Sequence, residues 1–157
     1  MYEQLKQRVY DTNLDLQRQG LVVLTWGNVS AIDREAGIIA IKPSGVRYED
    51  LNPQSIVIVD LEGRVVEGNL KPSSDTATHL ELYKSFAAVG GVCHTHSRYA
   101  TMWSQARRPI PCFGTTHADN FYGPIPVTDA MTDEEIGGPY EENTGKVIVR
   151  RFAGIDP

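Results

Sequence analysis

Apolar residues recur at helical spacing from the start of the chain: Tyr2, Leu5, Val9, Thr12 and Leu16 predict a first helix that Gly20 stops. The pattern then changes period. Leu21 to Trp26 is an uninterrupted apolar run that predicts a strand. Val29–Ile32 and Ile38–Ile41 flank the polar turn Asp33-Arg34-Glu35-Ala36-Gly37 and predict a hairpin. Ile56–Asp60 and Arg64–Val66, around Leu61-Glu62-Gly63, predict a second. A helix is expected from Asp75 to Phe86 with Ser74 as its N-cap, then a strand through Val89-Gly90-Gly91-Val92-Cys93 into His94, then a helix from Ser97 to Ala106. Proline and glycine crowd residues 109–126, which predicts loop with short strands. Thr132-Asp133-Glu134-Glu135 reads as a helix start with a capping box, and Lys146–Phe152 as a strand. Hairpins alternating with helices predict an α/β layered domain whose sheet is largely antiparallel.

Composition narrows the picture without naming a function. A chain of 157 residues, 41% hydrophobic, supports one core, so a single domain over 1–157 is expected. A net charge of −5 argues against a nucleic-acid partner. It leaves room for a small phosphorylated ligand, because amides and hydroxyls can bind phosphate inside an acidic protein. No apolar run is long enough for a membrane span, and no signal-peptide pattern opens the chain. Cys93 and Cys112 form no disulfide framework, and Cys93 reads as a small core residue; both fit a cytoplasmic protein.

His94-Thr95-His96 carries the sharpest chemical signal. At period two, both imidazoles of a strand project from one side and can grip one metal ion. Three polar clusters look suited to an anion: Thr25-Trp26-Gly27-Asn28-Val29-Ser30, Lys42-Pro43-Ser44-Gly45 and Lys71-Pro72-Ser73-Ser74-Asp75. Each combines glycine, hydroxyl or cation at the end of an element, although each also reads as an ordinary turn or cap. Asp119 is open between a general acid/base and a turn carboxylate, Asp75 between a site residue and a first-turn helix residue, and His117 between a ligand and a helper beside Asp119. His79 reads as a packing or partly exposed residue.

Taken together, Trp26-Gly27-Asn28-Val29-Ser30, Ile41-Lys42-Pro43-Ser44-Gly45-Val46, Lys71-Pro72-Ser73-Ser74-Asp75-Thr76, His94-Thr95-His96-Ser97 and Gly114-Thr115-Thr116-His117-Ala118-Asp119, followed by Met131-Thr132-Asp133, Tyr140-Glu141 and Thr144-Gly145, closely resemble the class II aldolase/adducin-like family. The resemblance implies a three-layer α/β/α fold with a mostly antiparallel sheet, a divalent metal (usually zinc) and a homotetramer. It implies phosphate binding by Gly27, Asn28, Ser44, Gly45, Ser73 and Ser74, metal binding by Asp75, His94 and His96, and acid/base catalysis by Asp119. The implied activity is that of the branch that converts L-ribulose 5-phosphate to D-xylulose 5-phosphate. There the C3–C4 bond is cleaved in a retro-aldol step, the metal stabilises the enediolate, and the aldehyde re-adds after rotation. An aldolase that releases its two fragments is the alternative within the family; there a glutamate typically replaces Asp75. A non-catalytic assembly module is the alternative outside catalysis. Family members also carry a C-terminal segment with a third histidine ligand and a catalytic tyrosine. The chain ending at Pro157 is expected to lack both, to hold zinc weakly and to show no epimerase activity.

Overall fold

The computed structural model describes residues 2–154. Its order is α1 (Glu3–Arg18), β1 (Asn28–Asp33), β2 (Ile38–Ile41), β3 (Val57–Asp60), β4 (Val65–Glu67), α2 (Thr76–Ser85), β5 (Gly91–His94), α3 (Arg98–Gln105), α4 (Thr115–Ala118), α5 (Asp133–Gly137) and α6 (Tyr140–Phe152). The strands form one antiparallel sheet in the order β4-β3-β2-β1-β5. Both expected hairpins are present.

The two faces of the sheet follow from the period of two. Ile38, Ala40, Ile56 and Ile58 point to one side, where Leu5 and Val9 of α1 cover them. Ile32, Ile39, Val57 and Val59 point to the other, under Leu80 and Tyr83 of α2. Helix α6 packs in turn on α2. The fold is therefore α/β, with helices on both sides of an antiparallel sheet. Residues 38–41 and 56–59 are almost fully enclosed, and each isoleucine or valine among them contributes roughly 1.5–3 kcal/mol. Helix α1 is also pinned by polar bonds: Asn13 donates to the Val29 carbonyl at 3.0 Å and accepts from the Val29 N–H at 2.9 Å.

Four expectations fail. Leu21–Trp26 is a turn: Leu24 has φ 57°, and Leu21, Val23 and Leu24 are exposed. The strand that follows it already has β2 and β5 on its two sides, so an apolar run beside it finds no free edge. Lys146–Phe152 is the second half of helix α6. Gly145 lies against α2 so closely that a Cβ there would stand 2.6 Å from Glu81 Cβ, and the Thr78 hydroxyl donates to the Glu141 carbonyl at 2.6 Å. Helix packing thus overrides a locally strand-like run. Ser74 is not the cap of α2; Asp75 occupies that position, and the Ser73 carbonyl receives the Thr76 N–H and hydroxyl. Cys93 is exposed, because β5 is an edge strand that α1 does not reach over. Residues 109–126 contain the short helix α4 and one bridge, Ile110 to Ile125. The capping box at Thr132 and Glu135 is present.

Candidate active site

Gly27 begins the site. Its φ is 82°, and a Cβ would lie 2.9 Å from the His94 carbonyl, so only glycine lets the chain turn here into β1. Asn28 then opens β1 directly opposite His94 on β5. Its amide donates to Asp75 Oδ2 at 2.6 Å and to Ser73 Oγ at 3.3 Å, joining the first polar cluster to the third. The second and third clusters are stitched by backbone: Ser44 N–H donates to the Lys71 carbonyl, Ser73 N–H donates to the Lys42 carbonyl, and Pro43 bridges Pro72. The three clusters converge on one cavity of about 360 Å³ whose wall also includes His94 and His96.

One end of this cavity gathers hydroxyls and a glycine turn. Gly45, at φ 71°, turns the chain beside the hydroxyls of Ser44, Ser73 and Ser74. Lys42 is 2% exposed; its ammonium donates to the Val46 carbonyl at 2.6 Å and lies 4.9 Å from the Tyr48 ring centre. Burial lowers its pKa. Asn28 is also buried, and its Oδ1 has no partner among the described residues, which leaves an acceptor in the cavity wall.

The other end carries the histidines. His94 is the last residue of β5 and His96 lies beyond the strand, so strand alternation does not place the pair as expected. The chain brings them together nevertheless. Their Nε2 atoms are 2.9 Å apart with the rings edge to face, and Trp26 flanks His96 with ring centres 5.6 Å apart. Two nitrogens at that separation are within reach of one ion that bonds nitrogen at about 2.0–2.1 Å. Asp75 Oδ2 stands 4.0 Å from His94 Nε2. Among the described residues no three His, Cys, Asp or Glu groups are gathered closely enough to hold a metal ion by themselves. Burial lowers the His94 pKa, with Asp75 opposing and His96 adding, so its imidazole favours the neutral, ligating form.

A second cavity of about 370 Å³ adjoins the imidazole pair on the α6 side, sharing Asp75, His94 and His96 with the first and lined further by His79, Tyr140, Glu141 and Thr144. Glu141 has a raised pKa there, from burial and then from Asp75. Asp119 is exposed at the end of α4 and lines neither cavity. His117 spends its Nε2 on the Gly123 carbonyl at 2.8 Å.

Sequence reasoning missed Lys42 as a buried cation, and it missed His79 and Glu141 as cavity walls. Two spacings carried a signal for His79. Asp75, His79 and Tyr83 repeat every fourth residue on one helix face, and Asn28 and Ser30 alternate onto one strand face.

The sequence pattern of the class II aldolase and adducin N-terminal domain matches residues 7–155. The chain is 57% identical over 155 residues to the L-ribulose-5-phosphate 4-epimerase UlaF of Salmonella paratyphi B, covering 99% of this chain and 68% of that protein. A solved L-fuculose 1-phosphate aldolase superposes with TM-score 0.78 and 30% identity over 92% of this chain and 67% of its own. The L-fuculose-1-phosphate aldolase of Thermus thermophilus shares the fold, with TM-score 0.74 and 24% identity over 97% of this chain and 72% of its own.

Proposed function

The chain belongs to the class II aldolase and adducin N-terminal domain family, and from that premise we propose that it carries the phosphate- and metal-binding part of an L-ribulose-5-phosphate 4-epimerase. The observation that carries this reading is the single cleft in which three hydroxyl- and glycine-rich turns face a pair of imidazoles. Its polar end suits the dianion of a phosphorylated ketopentose. Gly27 and Gly45 keep the backbone open, Ser44, Ser73 and Ser74 offer donors, Asn28 ties Ser73 to Asp75 at the wall, and Lys42 supplies a positive charge. His94 and His96 would hold a divalent metal, zinc in this proposal, with Asp75 as the third donor. When bound, the ion supplies Lewis-acid stabilisation to an adjacent substrate oxygen. Asp119 is the proposed acid/base that exchanges a proton with the substrate as the C3–C4 bond breaks and re-forms. A homotetramer is proposed for the assembled enzyme, in the cytoplasm, acting in arabinose or ascorbate use.

The test is incubation with L-ribulose 5-phosphate and added divalent metal, using this chain and a chimaera that appends the remaining length of a UlaF relative. Formation of D-xylulose 5-phosphate by either supports the proposal. Accumulation of free dihydroxyacetone phosphate instead assigns the site to an aldolase, and no turnover by the chimaera overturns the reading.

A further inference from the structure

His96 is exposed and lies beyond the end of β5, outside any helix or strand. Among the described residues its one hydrogen-bond contact is from Nε2 to that of His94, so nothing holds its Nδ1. Imidazoles that bind metal are ordinarily oriented by a hydrogen bond from the second ring nitrogen. His96 has a ring in that place. The Trp26 indole stands 5.6 Å away, centre to centre, with the two planes tilted by 33°, inside the range of favourable aromatic pairs.

The encounter follows from strand register. Strands β1 and β5 run antiparallel with Asn28 opposite His94. Two residues beyond that last pair, in each direction along the chain, come Trp26 and His96. The period of two puts them on the same face, and the rings meet as a cross-strand pair does.

The indole also has a fixed base. The Trp26 N–H donates to the Val23 carbonyl at 3.0 Å, and the Trp26 carbonyl accepts from the Tyr48 hydroxyl at 3.3 Å. The Lys42 ammonium donates to the Thr25 carbonyl at 3.4 Å, and both Tyr48 and Lys42 are buried. The backbone is thus clamped from beneath while the Trp26 side chain, 55% exposed, stays on the cleft wall. Such a ring adds little to the core. What it does touch is His96.

We propose that Trp26 is a positioning residue: its indole fixes the ring of His96 so that Nε2 faces that of His94, ready for a shared ion. The service to metal binding rests on the metal reading above; the ring contact does not.

Two measurements test it. In metal-free chain, proton NMR of the histidine rings is expected to show the His96 signals displaced by the indole ring current, with His96→Asn supplying the assignment. Trp26→Ala should return those signals to ordinary values. Zinc titration should weaken roughly 2–10-fold in Trp26→Ala, the size of one aromatic pair, and cobalt(II) bound in place of zinc should show altered d–d bands. Trp26→Phe, which keeps a flat ring, is expected to recover most of the affinity and the parent spectrum. If Trp26→Ala does not fold, Trp26→Leu, which keeps bulk without a ring, replaces it against Trp26→Phe. His96 signals unmoved in a folded ring-less variant, or zinc affinity and cobalt spectrum unchanged there, overturn the proposal. Parent chain that binds neither metal overturns the metal reading, and the NMR result then judges the ring contact by itself.

Discussion

The cleft and the segment from Ser97 to Met131 are built in opposite ways. Around the cleft, strands β1, β2 and β3 are largely buried, Lys42 and Asn28 are enclosed, and the polar clusters are tied to one another by backbone and side-chain bonds. In the other region, α3 and α4 have no buried residue, and Tyr99, Phe113 and Tyr122 are 73%, 84% and 104% exposed. Asp119 belongs to this second region. The difference teaches that the proposed reaction is divided between two mechanical settings. Binding of phosphate and metal rests on pre-organised donors, while proton transfer is assigned to a group that this chain's own packing does not bring to the cleft.

The largest expected effect attacks the cleft at its imidazole end. His94→Asn and His96→Asn should each abolish tight divalent-metal binding and turnover, since either removes half of the imidazole pair. Metal content by elemental analysis and turnover in the chimaera check this, and unchanged values in both variants would remove the metal from the reading. Next comes the exposed region. Asp119→Asn keeps shape but cannot accept a proton, so turnover should fall roughly 10²–10⁴-fold with metal affinity and melting temperature unchanged. Loss of metal binding or stability instead would show that Asp119 is tied into the cleft after all.

Two smaller effects sharpen the contrast. Gly145→Ala inserts a Cβ 2.6 Å from Glu81 Cβ and 3.1 Å from the Thr78 carbonyl oxygen, where α6 meets α2. Overpacking of this kind costs typically about 1–3 kcal/mol, measurable by urea unfolding. Tyr99→Ser in the exposed region should stay within roughly 0.5 kcal/mol of the parent. The smallest effect concerns the Lys6–Glu67 pair, 2.9 Å apart, which ties α1 to β4. The Lys6 hydrogen bond holds the Glu67 carboxyl below its usual range. A carboxylate with a depressed folded pKa adds stability above its unfolded value, and this is lost as pH falls through the folded one. The melting-temperature gap between parent and Glu67→Gln should therefore close on acidification below the ordinary glutamate range. A gap independent of pH would assign the pair no electrostatic role.

Much of this was legible in the chain. Helix α1 followed from Leu5, Val9 and Leu16, and both hairpins followed from alternation around Asp33–Gly37 and Leu61–Gly63. The capping box at Thr132 and Glu135 was local chemistry and needed no context. Of the site, Asp75, His94, His96 and the three polar clusters were visible as residue types suited to metal and phosphate. What was not visible was burial. Leu21–Trp26 looked like a strand because its residues are apolar, and Lys146–Phe152 because valine, isoleucine and phenylalanine crowd together. Neither run says whether a sheet edge or a helix face is free to receive it.

The sequence by itself determined the periods, the turns and the kinds of side chain available, because these depend on neighbours a few residues apart. Tertiary structure alone decided that Asn28 reaches Ser73 and Asp75 across 45 and 47 positions, that Lys42 is enclosed, and that Ser30, His79 and Tyr83 form one buried chain of hydrogen bonds. Those outcomes depend on how strand β1 lies between β2 and β5 and on how α2 covers it. Close approach of distant segments is fixed by the packing of whole layers, and no short stretch of sequence records it.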